Sequence, residues 1–290
     1  MSQRSRWWRN SGEKPWMMGV LNCTPDSFSD GGKFAHIDAA IAQGMQMRDV
    51  GAHVIDVGGE STRPGAEPVS LTDELNRVIP VIEVLVQEGC YVSIDTMKTE
   101  VMRQAIQAGA QMVNDVSALA DVGAEQLLAE TGIDLCLMHM QGTPKMMQEQ
   151  PHYHDVVADV MRFLSMRVEQ CLAQGILASS IMIDPGIGFG KSLSDNLALI
   201  HAIPQFREQL NMPVLMGVSR KSFLGAITGA TVDQRELESA AAVTICAFLG
   251  ADMLRVHDVA IQQRAAWVGA ACQWADPSNA TDTKSKRVEV

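Results

Sequence analysis

The sequence predicts a protein of the α/β class, a single-domain (β/α)₈ barrel, and three observations support this prediction. Eight short runs rich in Val, Ile, Leu and Met recur along the chain, and helical spacing of apolar residues follows each run. The runs are apolar almost throughout, as in parallel strands that helices cover on both faces. Together the units fill about 250 residues, the usual length of a TIM barrel. A doubly wound open sheet is the alternative, although eight strands would make it long.

The predicted strands follow one another in order along the chain. They are the runs at 16–23, 53–59, 91–96, 112–117, 134–140, 180–186, 213–220 and 253–259. Three helices are defined best: TDELNRVIPVIEVLVQEG starts with a Thr-Asp cap, and it ends on glycine, as do KTEVMRQAIQAG and GAEQLLAETG. Pro80 should kink the first of them or begin a second turn there. We expect the barrel at 15–275, an N-terminal tail at 1–14 and a disordered tail at 276–290.

Composition narrows the classes of function. Of the 290 residues, 47% are hydrophobic, which allows a large core. The net charge of −11 and the pI near 5.1 argue against nucleic acid or an anionic membrane as the main partner. The six cysteines form no C-x-x-C pair and several lie in apolar runs, which is typical of reduced, buried thiols. With no signal peptide or transmembrane span in view, we expect a cytoplasmic protein.

The stretch DPGIGFGKS looks like a phosphate-binding loop but misses both known patterns. Pro185 stands where the Walker pattern needs a glycine, and Lys191 stands where the dinucleotide pattern needs its third glycine. The stretch is better interpreted as a strand that ends at Asp184, followed by a glycine turn that lets the backbone approach a ligand. Lys191 and Ser192 then begin a helix and hold no phosphate.

Polar side chains gather at the carboxyl ends of the predicted strands, where barrels of this kind carry their chemistry. They are Asn22, Asp56, Glu60, Arg63, Asp95, Asn114, Asp115, His139, Asp184, Ser219, Arg220, Lys221, Arg255, His257 and Asp258. Burying carboxylates without partners is costly, so this set indicates a ligand or mutual pairing. Asp95, Asn114 and Asp184 suit a flat heterocycle with N–H donors, and the cations suit a phosphate or carboxylate. Alternatively, Asp115 and Asp258 cap the helices that follow them.

Seven stretches resemble the dihydropteroate synthases in order along the chain: MGVLNCTPDSFSDGG, VGGESTRPGA, SIDT, VNDVS, IDPGIGFGK, GVSRKSFLG and LRVHDV. They span roughly residues 17–259 and show no departure at the motif positions. The resemblance implies a transferase of folate biosynthesis and a target of sulfonamides. It would condense 6-hydroxymethyl-7,8-dihydropterin diphosphate with p-aminobenzoate to give 7,8-dihydropteroate and diphosphate. The resemblance also implies Mg²⁺ as cofactor and a homodimer formed through the outer helices near the C-terminus.

The same resemblance assigns roles to individual residues. The pterin-binding candidates are Asp95, Asn114, Met138, Asp184, Gly217 and Lys221. The diphosphate-binding candidates are Asn22, Thr62, Arg63, Arg255 and His257, with Asn22 also the candidate Mg²⁺ ligand. The p-aminobenzoate-binding candidates are Thr62, Pro64, Phe189, Ser219, Lys221 and Ser222. The catalytic candidates are Arg63, Asp95, Lys221, Arg255 and His257.

A dissociative reaction is expected, in which diphosphate leaves before the amine attacks. The nitrogen-rich pterin ring can delocalise the resulting cation, and a neutral aryl amine needs no strong base to react. The loops NCTPDSFSDGGK and GGESTRPGAEP are rich in Gly, Ser, Asp and Pro. We expect both loops to be mobile in the free enzyme and to close over diphosphate and Mg²⁺.

Two other functions share part of this pattern. A barrel that passes a methyl group from a folate to a corrinoid would share Asp95, Asn114 and Asp184. It would not need the Thr-Arg-Pro-Gly and Ser-Arg-Lys segments together with Asn22. A non-catalytic pterin-binding protein should have lost its anion-site residues, and they are all present.

Two further segments are better interpreted as ordinary surface structure than as functional sites. His139, His152 and His154 have a spacing seen in zinc sites, but the last two lie in a loop rich in Met and Gln. The segment GGKFAHIDAA is typical of a mobile loop that runs into a helix, with Lys33 an ordinary surface charge.

Overall fold

The structure is a computed structural model, and it describes residues 14–24, 33–63, 65–143, 146–147 and 151–275. Both predicted tails lie outside these residues except for Lys14, and so does Pro64.

Strands and helices alternate along the described chain. The strands are β1 (Trp16–Asn22), β2 (Val54–Gly58), β3 (Val92–Asp95), β4 (Met112–Asp115), β5 (Asp134–Met138), β6 (Ile181–Asp184), β7 (Leu215–Met216) and β8 (Met253–Val256). The helices are α1 (Lys33–Asp49), α2 (Leu71–Gln87), α3 (Thr99–Gln107), α4 (Ala124–Thr131), α5 (Val156–Ala173), α6 (Leu193–His201), α7 (Ile203–Leu210), α8 (Ser222–Thr228), α9 (Glu236–Phe248) and α10 (Val259–Trp274). No helix in the described ranges is long and apolar enough to span a bilayer.

The strands close into a barrel. Parallel pairing runs in the order β6-β5-β4-β3-β2-β1-β8-β7. At the remaining seam, Ile183 forms a parallel bridge with Val214, and its backbone N–H donates to the carbonyl of Pro213 at 2.9 Å. Closure pairs the two strands that would otherwise be edges. The single-domain (β/α)₈ barrel prediction is therefore confirmed, and the open doubly wound sheet is wrong.

Strand alternation gives the barrel two cores. Side chains facing the helices form the larger core. Those facing inward near the strand starts form a compact apolar layer of Met18, Val54, Met112, Cys136, Met182, Leu215 and Met253, all fully buried. Because successive side chains of a strand alternate in direction, residues two positions later also face inward, one layer nearer the carboxyl ends. The apolar layer is therefore the floor on which any site at the barrel mouth rests.

Three local features differ from the sequence expectations. Helix α2 is capped by Ser70, whose Oγ accepts from the backbone N–H of Asp73 at 3.1 Å, so the predicted Thr-Asp cap is wrong. The helix continues through Pro80, which does not divide it. The run predicted as a strand at 213–220 is a strand only at Leu215–Met216, preceded by the bridge at Val214. Beyond Met216 the chain turns, and Arg220 adopts a left-handed conformation with φ of +57°.

Candidate active site

Five polar side chains enter the barrel mouth because they lie two residues after inward-facing residues near the strand starts. They are Asp56, Asp95, Asn114, Asp184 and Arg255. Val54, Met112, Met182 and Met253 of the floor precede four of them, and Ser93, which is also fully buried, precedes Asp95. Their strands give each of them a rigid position, so the mouth is preorganised by the sheet.

Arg255 is the centre of a buried polar network. Its Nε donates to Asp56 Oδ2 and its Nη2 donates to Asp95 Oδ2, each at 2.6 Å. Asn114 Nδ2 donates to the same Asp56 oxygen at 3.0 Å. Burial acts to lower the pKa of Arg255, but Asp56 and Asp95 outweigh it and raise that pKa, so the guanidinium stays charged.

The carboxylates of this network keep unused hydrogen-bonding capacity. Asp56 Oδ1 and Asp95 Oδ1 are buried and have no partner within the described part of the chain. Burial raises the pKa of Asp95 to about 7, against the charge of Arg255, and the neighbouring Asp56 adds to the rise. Leaving such atoms unpaired is costly. These oxygens are therefore suited to receive N–H donors from a ligand.

Asp184 faces the same cavity from β6. Its Oδ1 accepts from the backbone N–H of Gly186 at 2.7 Å, and burial raises its pKa. Gly186 has φ of +75°, and a Cβ there would lie 1.8 Å from the carbonyl oxygen of His139, so only glycine fits. A Cβ on Gly217 would lie 4.0 Å from Asp184 Oδ2, so this glycine keeps the space beside the carboxylate open.

Lys221 and Phe189 meet beside this pocket. Lys221 Nζ lies 4.0 Å from the centre of the Phe189 ring, a cation–π arrangement. Phe189 in turn packs in a small apolar cluster with Val116, Met138 and Met147. Burial lowers the pKa of Lys221 to about 8, and the charge of Arg255 adds to the effect. A cation thus lies above an aromatic ring at the edge of the carboxylate pocket.

Lys191 settles the question raised by the phosphate-loop pattern. Its side chain is buried, with Nζ 2.9 Å from His139 Nδ1 and donating to the carbonyls of Phe189 at 3.0 Å and His139 at 3.3 Å. Ser192 caps α6 through a capping box with Asp195. The prediction that this segment begins a helix is confirmed. The lysine is used inside the protein, where it ties the loop after β6 to the loop after β5.

The anion side of the mouth is formed by the loops after β2, β7 and β8. Ser219 Oγ lies 3.0 Å from His257 Nδ1. Burial, together with the charges of Arg255, Arg220, Lys221 and Arg63, lowers the pKa of His257 to about 3, so the ring is neutral. The side chain of Arg63 is exposed, yet its charge acts on both His257 and Lys221, so it lies within electrostatic reach of them.

The base of the loop after β2 is anchored. Lys98 forms ion pairs with Glu60 of this loop and with the buried Glu74 of α2. Arg77 Nη1 donates to the carbonyl of Gly59 at 2.8 Å. Thr62 and Arg63 follow directly and are partly buried and exposed respectively. A loop that is held at Gly59 and Glu60 and exposed at Arg63 is able to move in its outer part.

The chain is similar to known proteins over most of its length. The pterin binding enzyme family matches residues 18–257. Dihydropteroate synthase of Escherichia coli K12 is 46% identical over 246 residues, covering 84% of this chain and 87% of that protein. The structure of the Yersinia pestis dihydropteroate synthase with a sulfonamide drug complex superposes with a TM-score of 0.85 at 43% identity, covering 90% of this chain and 95% of that one. The Xanthomonas albilineans enzyme with 4-aminobenzoic acid gives 0.84 at 48% identity, covering 90% and 93%.

The chain belongs to the dihydropteroate synthase family. It is therefore a transferase, and the resemblance noted from its seven motifs is confirmed. The likeness extends over most of both chains, which favours the synthase over the corrinoid methyltransferase and the non-catalytic binding protein.

Several of the candidate residues meet at one mouth, and their roles remain predictions. Asp95, Asn114, Asp184 and Arg255 share the buried pocket, with Lys221 at its edge. Gly217 lies beside Asp184, Phe189 contacts Lys221 and packs with Met138, and Ser219 contacts His257. Asn22, Thr62, Arg63 and Ser222 lie at or beyond the ends of β1, β2 and β7, where no direct contact with the pocket is seen among the described residues. Pro64 lies outside the described residues.

Two residues of the site received no role from sequence reasoning. Asp56 was seen only as a polar strand residue, yet its Oδ2 holds both Arg255 and Asn114. Its inward position two residues after Val54 could have revealed it. Gln262 lies in α10 and is fully buried, and its Nε2 donates to Ser219 Oγ at 3.1 Å. A glutamine in a helix carries no signal that predicts this contact.

The contacts of the remaining histidine and aspartate candidates lie outside the pocket. His139 Nδ1 faces Lys191, and within the described ranges no group of three metal-binding side chains lies together. The alternative that Asp258 is a helix cap is confirmed, because its Oδ1 accepts from the N–H of Ile261 at 3.0 Å. For Asp115 the helix-cap alternative is wrong, because Asp115 accepts from Ser117 and Leu119 in the turn after β4 and the N-cap of α4 is Gly123. Lys33 begins α1, so GGKFAHIDAA is helical from that residue onward.

Proposed function

We propose that the barrel mouth condenses 6-hydroxymethyl-7,8-dihydropterin diphosphate with p-aminobenzoate, with pterin, diphosphate and aryl acid in three adjoining subsites. The observation that supports this arrangement is the position of Arg255. It is bonded to the carboxylates of the pocket, and its charge lowers the pKa values of Lys221 and His257 on the anion side. One side chain thus lies between a pocket of acceptors and a rim of cations.

The pterin occupies the buried pocket. Asp184 accepts from the 2-amino group and ring N–H, a pair of parallel charge-assisted hydrogen bonds. Asn114 and Asp95 contact the remaining polar edge, where the unpaired Oδ1 of Asp95 gains a donor. Met138 packs against one side of the ring, and Gly217 leaves room on the other. A pterin ligand is consistent with the Xanthomonas albilineans enzyme, which has been solved in complex with 7,8-dihydropteroate.

Diphosphate leaves toward the cations. Arg63, Arg255 and the neutral ring of His257 donate hydrogen bonds to its oxygens, with Thr62 beside them, and so stabilise the charge that develops as the C–O bond breaks. Because the carboxylates hold Arg255 in place before substrate arrives, little reorganisation is needed when the charge appears. The pterin cation that remains is shielded from water by the closed loops.

The donor chemistry of the site fits one Mg²⁺ ion bound with the diphosphate. Asn22 ends β1 beside Gly58 and offers a neutral oxygen, and no hydrogen bond holds its side chain within the described part of the chain. Mg²⁺ commonly takes one or two protein oxygens and completes its shell with phosphates and water. When bound, the ion would neutralise charge on the leaving diphosphate.

p-Aminobenzoate binds between the pterin and the rim. Phe189 and Pro64 contact the ring, while Lys221, Ser222 and Thr62 receive the carboxylate and orient the amine. Ser219 borders this subsite through its backbone. Ser222 is exposed at the first position of α8, where backbone N–H groups have no helical partner. The Xanthomonas albilineans complex with 4-aminobenzoic acid shows that a relative binds this molecule.

The enzyme assembles as a homodimer in the cytoplasm. Helices α9 and α10 pack together and expose the apolar side chains of Leu237, Ile245, Phe248, Trp267 and Val268. Exposed apolar surface of this extent on neighbouring helices is typical of a protein interface. A second copy of the chain, joined by a twofold axis, would cover it.

The test is a reaction with both substrates and Mg²⁺, followed by mass spectrometry of the product and by diphosphate release. Equal amounts of 7,8-dihydropteroate and diphosphate are expected, and an Arg255→Ala variant should make little of either. Diphosphate release without dihydropteroate would mean that the aryl acid is not the second substrate. Methyl transfer from a methylated folate to a corrinoid would support the rival function instead.

A further inference from the structure

A chain of hydrogen bonds connects the anion side of the barrel mouth to the outer helices. Ser219 Oγ lies 3.0 Å from His257 Nδ1 and accepts from the backbone N–H of His257 at 3.3 Å. Gln262 Nε2 donates to the same Oγ at 3.1 Å and to Glu236 Oε1 at 2.7 Å. Ser219 and Gln262 are buried, so water does not compete for these groups.

The orientation of the Gln262 amide follows from its partner on α9. The carboxylate of Glu236 can only accept, so the atom facing it must be the amide nitrogen. A flipped amide would place Oε1 of Gln262 against that carboxylate. In the orientation seen, Oε1 is buried without a partner among the described residues, so Glu236 and Ser219 alone hold the amide.

The protonation of His257 follows from the same count of donors and acceptors. A hydroxyl oxygen has two lone pairs and one hydrogen. The lone pairs of Ser219 Oγ receive the backbone N–H of His257 and the side chain of Gln262. Its hydrogen must therefore go to His257 Nδ1, the remaining neighbour. His257 Nδ1 is an acceptor, and the neutral ring carries its proton on Nε2.

We propose that Gln262 and Glu236 are positioning residues that hold His257 as a neutral imidazole, with its Nε2–H kept as the donor for the diphosphate. The identity of that anion rests on the proposed function, whereas the tautomer does not. Neither positioning residue touches substrate; both act through Ser219.

The electrostatics of the rim favour a neutral ring. Burial lowers the pKa of His257 to about 3, and Arg255, Arg220, Lys221 and Arg63 all act in the same direction. A charged imidazole would add to this repulsion in the free enzyme. A neutral Nε2–H still directs a hydrogen bond at an oxygen of the ligand. The rim thereby gains a donor with a defined direction and no additional charge.

The first experiment uses the unmodified enzyme. Histidine labelled with ¹⁵N on the ring is incorporated, and the His257 signals are assigned by their loss in a His257→Gln variant. At about pH 7, Nδ1 should resonate as an unprotonated nitrogen and Nε2 as a protonated one, with no titration between about pH 5 and 9. A proton on Nδ1, in a neutral ring or in an imidazolium, overturns the proposal.

The second experiment removes the donor with Gln262→Met. The ¹⁵N spectrum should then show mixed tautomers of His257, and inorganic diphosphate with Mg²⁺ should bind about tenfold more weakly in calorimetry, the loss expected for one hydrogen bond to a charged group. Binding of 6-hydroxymethylpterin, which has no phosphate, should be unchanged. An unchanged spectrum with unchanged diphosphate affinity contradicts the role of Gln262.

The matched control is Gln126→Met in α4. Gln126 Nε2 also donates to a glutamate, Glu130 Oε1, at 2.8 Å, but on the exposed surface. This variant should keep both the wild-type spectrum and the wild-type affinity. If Gln262→Met does not fold by circular dichroism, Glu236→Ala releases the amide from a partly exposed position and should alter the His257 signals in the same direction. Wild-type enzyme that shows the tautomer but binds no diphosphate would refute the proposed anion, not the positioning role.

Discussion

Arg255 Nη2 donates to Asp95 Oδ2 at 2.6 Å across the barrel mouth, from β8 to β3. In the proposed function, this pairing couples the residue that contacts the leaving diphosphate to one that contacts the pterin. When diphosphate binds Arg255, the ion pair between Arg255 and Asp95 weakens. A pterin N–H that donates to Oδ1 of Asp95, which has no partner among the described residues, offsets this loss. The pterin and the diphosphate are thus expected to bind together with a more favourable free energy than the sum of their separate binding free energies.

The first prediction concerns stability and pH at Asp95. Its pKa is raised in the fold to about 7 from an ordinary value of 3.8, so the folded state binds more protons between these limits. The contribution of Asp95 to the free energy of unfolding is therefore complete below about pH 4 and is lost as pH rises through about 7. The Asp95→Asn variant should not show this loss. Measured by urea unfolding, its free energy of unfolding relative to wild type should therefore rise between about pH 5 and 8. A difference that is constant across this range would contradict the shift.

The second prediction concerns pterin affinity at Asp184. Asp184→Asn places an amide donor against N–H groups, and the loss of one charge-assisted pair should cost about 1.5–3 kcal/mol of pterin binding. Calorimetry with a pterin measures this directly. Asp258→Asn is the matched control, since its Oδ1 caps α10 outside the pocket and asparagine caps equally well. Equal pterin affinity in the two variants would remove Asp184 from the pterin subsite.

The third prediction concerns the charge of Lys221. Burial lowers its pKa to about 8, so the ammonium is present below this pH and is lost above it. p-Aminobenzoate should therefore bind progressively more weakly from about pH 7.5 to 9.5 in enzyme already holding a pterin, diphosphate and Mg²⁺. Lys221→Arg keeps its charge and should show a flatter profile. The same decline in both proteins would assign the pH dependence to another group.

The fourth prediction concerns the order in which the site is completed. Thr62 and Arg63 lie at the outer end of a loop whose base is held by Lys98, so an anion is expected to draw in only the tip. p-Aminobenzoate should bind more tightly by about 1–3 kcal/mol once diphosphate and Mg²⁺ join the pterin. Two calorimetric titrations, with and without diphosphate and Mg²⁺, measure the difference. Equal affinities would mean a preformed aryl site.

The fifth prediction concerns the homodimer. Val268 in α10 is 60% exposed, and a charge there would be buried by a partner chain. Val268→Glu should shift the protein from dimer to monomer in sedimentation velocity. Val122→Glu is the control, because Val122 is 92% exposed in the turn before α4, far along the chain from α9 and α10. A Val268→Glu protein that stays dimeric would place the interface elsewhere.

The sequence alone determined the barrel and the position of the polar side chains at the carboxyl ends of its strands. Apolar runs separated by helical segments leave few architectures other than parallel strands covered by helices. The period of two along a strand then places Asp184 and Arg255 in the mouth once Met182 and Met253 are assigned to its floor. Helix ends were predicted less well, because the Thr-Asp pair expected as the cap lies inside α2 and Ser70 before it is the N-cap.

Only the tertiary structure decided which of these side chains pair with one another. Asp56 and Arg255 are 199 residues apart in the chain, and Gln262 reaches Ser219 from a helix on the outside of the barrel. Such contacts depend on strand register, on closure between β6 and β7, and on the seating of each helix over its strands. Lys191 shows the same limit, because nothing in the local sequence indicates that its Nζ forms hydrogen bonds with His139 and two backbone carbonyls. Patterns along a chain report the direction in which a side chain faces, whereas its partners are set by how distant segments pack.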